Sequence, residues 1–243
     1  MLRAAWRLLR VLLHILHGLA IVWTRSGMRD DASRWQRMQW WSAKLLRILG
    51  IGLVARGQPR PGGVLIVANH VSWLDIVAIH AMCPQARFVS KAEVRRWPLL
   101  NSLVSASGTM YLDRGCRRDA LHVVHRMAEA LRSGATMAVF PEGTTGDGNA
   151  LLPFHANLLQ AAISSEAAVQ PVALRFSDER HPVSPSVAYV GSTSLLQSLW
   201  KVVCAQGLTV NMDWLPLQPS ANTQRRALAE HLRQRIAQAL HHA

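Results

Sequence analysis

A run of five apolar residues, Val64-Leu65-Ile66-Val67-Ala68, stops abruptly at Asn69-His70. The run is uncharged and rich in β-branched side chains, the pattern of a strand buried on both faces. Such a strand needs covering elements above and below it, which commits the chain to a layered α/β architecture. A helical pattern follows over residues 73–82, closed by Pro84. Chemistry in these folds gathers where buried strands end, so the Asn69-His70 corner is the first place to look for function.

The alternation continues along the chain. Residues 53–57 read as a short strand and 58–63 as a Pro/Gly turn. Residues 88–90, 109–112, 136–140 and 169–176 read as strands, with 187–190 and 208–212 as two more. Pro171 lacks an N–H, which places its strand at an edge or a bulge. Helical patterns cover 93–100, broken by Pro98, then 118–133, 155–165 and 223–242. The expected fold is α/β: a mostly parallel mixed sheet flanked by helices, preceded by an N-terminal membrane-docking helical pair. A chain of 243 residues fits one such domain, over 53–243, and an appendage over 1–52.

The appendage is where the charge is concentrated. The net charge is +13, and residues 1–60 hold eleven Arg or Lys against Asp30 and Asp31 alone. Five of the nine Trp residues lie there too. Arg with Trp on apolar helical segments points to an anionic bilayer surface, because indole prefers the headgroup zone. Nucleic acid is the competing reading of a basic chain, but no zinc-finger spacing, RNA-binding aromatic motif or clear helix-turn-helix occurs. Residues 1–23 read as one helix with an uncharged run of thirteen residues from Val11, short of the ~20 that a span needs. An anchor that dips into one leaflet is expected ahead of a full span or a secretory signal, for which no cleavage site follows Trp23. A second helix over 32–49 ends at Gly50 and Gly52. Cys83, Cys116 and Cys204 are odd in number and far apart, which suits free thiols in a reducing compartment.

Three strand ends carry unusual residues: Asn69-His70, Asp113-Arg114 and Pro141-Glu142-Gly143. In a parallel sheet these ends share one edge, so a single site with a His, an Asp, an Arg and a Glu-Gly loop is expected. An imidazole suits the deprotonation of an alcohol near neutral pH, and an adjacent carboxylate such as Asp75 would fix its tautomer. Ser72-Trp73-Leu74-Asp75 also fits a capping box, so taken alone the corner supports a helix cap and a catalytic pair equally. His122, His125 and Glu129 share a helix face, but they lack a known hydrolytic pattern; surface positions and no metal are expected. The chain has neither a Walker lysine after Gly143 nor a G-x-S-x-G elbow.

These residues resemble the motifs of the glycerolipid acyltransferases. Asn69-His70-Val71-Ser72-Trp73-Leu74-Asp75 is similar to the family's N-H-x4-D block, and Tyr111-Leu112-Asp113-Arg114-Gly115 to its second. Phe140-Pro141-Glu142-Gly143-Thr144 is similar to the third, and the proline-centred segment around Pro171 to the fourth. The four occur in order over residues 64–176. The resemblance implies that His70, oriented by Asp75, acts as general base on the hydroxyl of a lysolipid. That oxygen would attack the thioester of an acyl carrier protein or coenzyme A. Asn69, Asp113, Arg114, Gly115, Glu142, Gly143, Thr144, Thr145 and Pro171 would shape the acceptor site. No metal or redox cofactor is implied, and the place of action would be the cytoplasmic face of the inner membrane. The first acceptor it implies is 1-acylglycerol-3-phosphate. One departure keeps a second in view: Thr145 and His155 stand where the family commonly has Arg and Lys, natural phosphate partners. The pattern F-P-E-G-T-x-x-D-G, with Lys91-Ala92-Glu93-Val94 before it, is more similar to relatives that acylate lyso-ornithine lipid.

Overall fold

The apolar run becomes the middle of a seven-stranded sheet. The structure, a computed structural model, describes residues 2–24, 31–96, 100–113, 115 and 117–242. The strands are β1 (Gly52–Arg56), β2 (Leu65–Ala68), β3 (Arg87–Lys91), β4 (Met110–Leu112), β5 (Met137–Val139), β6 (Val169–Ser177) and β7 (Thr209–Trp214). Their order is β1-β7-β6-β2-β5-β3-β4, and every neighbouring pair is parallel except β6 with β7. All four residues of β2 are buried. Leu65 and Val67 face one core cluster while Ile66 and Ala68 face the other, the period-two alternation of a pleated strand.

Helices α1 (Leu2–Thr24), α2 (Asp31–Leu49), α3 (Leu74–Met82) and α7 (Leu195–Cys204) belong to the layer on the Ile66 side. Helices α5 (Arg117–Arg132), α6 (Gln160–Ser165) and α8 (Arg225–His242) form the other. A short α4 (Leu100–Ala106) and a 3₁₀ turn (Ala92–Arg96) link β3 to β4. The expected 155–165 helix shrinks to α6, because the amides of Leu152 and His155 bond to Glu142 and Pro141 instead of starting a helix.

Two expectations fail for reasons of hydrogen bonding. Residues 187–190 form no strand; Tyr189 N donates to Val71 O, and its carbonyl accepts from the Thr145 hydroxyl, so the segment is a strap across two loops. Pro171 is not on an edge. It lies in β6 between β2 and β7, paired with Val67. Its carbonyl accepts from Leu215 N at 3.0 Å, and the Leu215 carbonyl that it cannot serve accepts from Gln170 Nε2 at 3.3 Å. The neighbouring side chain thus supplies the donor that proline lacks.

The two N-terminal helices pack differently: α2 buries Leu45, Leu46, Ile48 and Leu49 in the core, while α1 leaves most of its leucines outside. Ala4, Arg7, Val11, His14 and Gly18, spaced three and four apart, are buried on the protein. Leu2, Trp6, Leu9, Leu12, Leu13, Leu16 and Trp23 are exposed. His14 stacks on Trp41 with ring centroids 4.9 Å apart and donates from Nε2 to its carbonyl at 2.9 Å, while Trp41 Nε1 donates to His14 O at 3.2 Å. A Cβ on Gly18 would meet the Trp41 indole at 2.6 Å, so only glycine lets the helices approach this closely. α1 is long and apolar enough to cross a membrane by length and composition.

Candidate active site

β2 leaves the sheet at its carboxyl edge and the chain turns through Asn69 and His70 toward α3. The buried Asn69 donates from Nδ2 to Leu174 O and accepts at Oδ1 from Leu174 N, both at 2.8 Å. These bonds extend the β2–β6 ladder past the last strand residue and set the height at which His70 emerges.

His70 Nδ1 lies 2.7 Å from Asp75 Oδ2. The same oxygen accepts from Val71 N at 2.7 Å and Ser72 N at 2.9 Å. The Asp75 side chain is fully buried, while that of His70 is 18% exposed. A buried carboxylate with charge-strengthened bonds makes Nδ1 the protonated nitrogen and leaves Nε2 to take a proton from a substrate. The capping box that the sequence also allowed is only half made: Asp75 Oδ2 accepts from Ser72 N, but Ser72 Oγ gives no bond in return. α3 begins after Trp73, which makes no side-chain cap bond, and Ser72 Oγ is buried without a hydrogen-bond partner among the described residues. The corner's own amides and the imidazole draw Asp75 back from the helix end.

The loop after β5 holds the other side of His70. Glu142 is buried; its Oε1 accepts from His70 N at 2.7 Å and its Oε2 from Leu152 N at 2.9 Å. Gly146 N donates to His70 O at 2.8 Å. The Phe140 ring stacks on the imidazole at 4.0 Å and 9°. Burial pushes the Glu142 carboxyl above its ordinary pKa, against the pull of the two amide bonds. Both oxygens are occupied by backbone amides, so the carboxylate holds the His70 backbone in place. Gly143 stands at φ +72°, where a side chain would be strained. Thr144 is exposed, and Thr145 donates its hydroxyl to Tyr189 O.

The remaining expected residues are not all at this corner. Asp113 and Gly115 follow β4 on the same sheet edge, three strand spacings from β2, or about 14 Å. Asp113 Oδ1 accepts from Gly115 N at 2.9 Å, and Asp113 N donates to Asp119 at 2.7 Å. Arg114 lies outside the described residues. Pro171 is buried in β6 level with Val67, below the edge. Three cations escaped singling out for this role. Lys91 ends β3 on the site edge, while Arg95 and Arg126 line a polar groove with Ser105, Thr109, Tyr111 and Asp119. Arg95 sits 4.8 Å over the Tyr111 ring. The alternation of strand and helix gave Lys91 its place in retrospect; nothing local marked Arg126. His122 and His125 are exposed, and His125 pairs with Glu129 at 3.2 Å. Among the described residues no group of three or more His, Cys, Asp or Glu could hold a metal ion.

Comparison with known proteins bears on this arrangement. Residues 55–175 match the family model described as Acyltransferase. The chain is 40% identical over 197 residues to a 1-acyl-sn-glycerol-3-phosphate acyltransferase of Neisseria meningitidis serogroup B, covering 79% of this chain and 76% of that one. It is 36% identical over 202 residues to a lyso-ornithine lipid O-acyltransferase of Pseudomonas aeruginosa, covering 83% and 77%. The fold matches the crystal structure of the 1-acyl-sn-glycerophosphate acyltransferase of Thermotoga maritima with a TM-score of 0.70 at 21% identity, over 97% of each chain.

Proposed function

The chain belongs to the acyltransferase family, and on that premise we propose that it moves a fatty acyl group from a thioester to the free hydroxyl of 1-acylglycerol-3-phosphate, forming phosphatidic acid. The observation that carries the reading is the His70–Asp75 pair at the carboxyl edge of the sheet, 2.7 Å apart and backed by a fully buried carboxylate. His70 Nε2 takes the hydroxyl proton as the oxygen attacks the thioester carbonyl. The tetrahedral intermediate collapses, the C–S bond breaks, and the imidazolium returns its proton to the departing thiolate. Acyl carrier protein or coenzyme A is the donor, and the step balances without a metal or redox cofactor.

The loop from Glu142 offers the acceptor no cation, because Thr145 is tied to Tyr189 and Asp147 faces solvent. Lys91, Arg95 and Arg126 supply positive charge toward β4, where a phosphate head would lie. Asp147 supports a second reading. Asn149 donates to it from its side chain and backbone, at 3.0 Å each, and these bonds hold its carboxyl below the ordinary range. An ionised carboxylate there suits the ammonium of a lyso-ornithine lipid. The anchor belongs to the proposal as well: α1 turns its apolar face outward into one leaflet, on the cytoplasmic side of the inner membrane where the donor is made.

The test presents the purified full chain with labelled acyl thioester and a panel of lysolipids. Labelled phosphatidate as the main product is expected. A dominant ornithine lipid would move the assignment to the second reading, and no product from any lysolipid would remove the lysolipid assignment.

A further inference from the structure

α7 has an outer face that its place in a core layer does not explain. Leu196, Trp200 and Cys204 recur every four residues, and Leu196 is 78% exposed and Trp200 47%. Ser198, Val202 and Val203 form the buried side. The helix carries no acid, and its one charge, Lys201, is exposed. Two contacts tie it to elements of different duty. Trp73 Nε1, at the start of the helix that carries Asp75, donates to Ser198 Oγ at 3.1 Å. Arg7 of α1 donates to Val203 O at 3.0 Å and to Ala205 O at 2.9 Å, closing the free end of α7. α1 has its own outward apolar face, with Arg3 and Arg10 exposed and no acid.

We propose that the outer face of α7 is a second bilayer contact, continuous with that of α1, which seats the catalytic corner against an anionic lipid surface. The proposal rests on the lysolipid acyltransferase reading. The apolar stripe is about 12 Å long, two turns of helix. Its tryptophan, its flanking cation and the absence of acid are what an anionic interface takes up and a basic partner would not. The outer stripe and Ser198 lie on opposite sides of one helix, so lipid contact on one side bears on Trp73 through the other.

The experiment uses the full chain and the double variant Leu196→Ser/Trp200→Ser. Both side chains are exposed, and an unchanged circular dichroism spectrum and melting curve check the fold. Transfer to lysophosphatidate is measured in phosphatidylglycerol-containing vesicles and in detergent micelles, beside vesicle flotation. Loss of the two apolar contacts is expected to lower the vesicle rate by about tenfold or more and weaken flotation, with the micelle rate held within about twofold. Restoring Trp200 as Trp200→Phe with Leu196 intact is expected to recover most of the vesicle rate. Equal vesicle rates and flotation for wild type and double variant would overturn the proposal. So would a concentration-dependent dimer that the double variant dissolves, because a second copy would then own the face. If the wild type acylated no lysolipid even in micelles, the parent reading would fail, while flotation would still decide the bilayer contact.

Discussion

Asp75 does two jobs with one oxygen. It bonds His70 and accepts the amides of Val71 and Ser72, so the proposed catalytic pair and its backbone share a single support. Asp75→Asn keeps the shape but presents an amide to the imidazole, which favours the wrong tautomer. We expect kcat to fall roughly 10³- to 10⁴-fold, read from steady-state acyl transfer. Glu142 supports the same histidine from behind through its backbone amide. Glu142→Gln leaves one of two buried N–H groups facing an NH₂, at a cost of about 1–3 kcal/mol in urea unfolding. Because Glu142 touches no reacting atom, the loss should appear first in stability and in the rate constant for transfer, with little change in KM. Loss of lysolipid affinity alone would return Glu142 to the head-group site.

Helix α3 places Asp75 at its start and a second histidine near its end. His80 is buried and its Nε2 donates to Ala86 O at 3.0 Å. Burial lowers its pKa to about 4 from 6.5, against the pull of that bond. Between those values the unfolded chain binds a proton that the folded one refuses, so stability falls as pH drops from 6.5 towards 4, by on the order of 3 kcal/mol. Glu142 contributes with the opposite sign just above its ordinary pKa of 4.5, since its folded pKa is raised. The difference between wild type and His80→Gln, followed by urea unfolding across this range, cancels that contribution; an unchanged slope in the variant would clear His80. β6 makes a complementary case. Gln170 accepts from Arg60 N at 2.9 Å and donates to Gln58 O and Leu215 O, so Gln170→Leu should cost about 1–3 kcal/mol in the urea midpoint. The sequence shows Pro171 but not that its neighbour's amide compensates for it, which is why an edge or a bulge was the natural expectation. β2 was legible because its run is uncharged, rich in β-branched residues and bounded by Gly62-Gly63 and Asn69-His70, the pattern of a strand buried on both faces. α7 went unread in the sequence, although a capping box opens it: Ser194 Oγ accepts from Gln197 N, and Gln197 Oε1 accepts from Ser194 N. Tyr189 could not be read at all, since its partners Val71 and Thr145 lie far away in sequence.

At the scale of the molecule, three strand ends on one edge were foreseeable from alternation alone, and β2 and the adjacent β5 do bring His70 and Glu142 together. The charge asymmetry foretold a basic N-terminal pair; the structure adds that α1 buries Arg7 and His14 and exposes most of its leucines, while α2 buries Leu45, Leu46 and Leu49. Deleting residues 1–24 should sharply reduce recovery in membrane fractions, the α7 face alone holding the chain weakly, and raised salt should weaken the intact chain's binding to anionic vesicles. Undiminished recovery of the truncated chain in the membrane pellet would contradict that role. In the proposed mechanism a single imidazole supplies the base while the rest of the chain delivers it to lipid. The direct test is acyl transfer by His70→Ala on lysophosphatidate in anionic vesicles, with flotation measured on the same sample. We predict flotation equal to wild type and transfer reduced to background; wild-type transfer by His70→Ala would remove His70 from the mechanism.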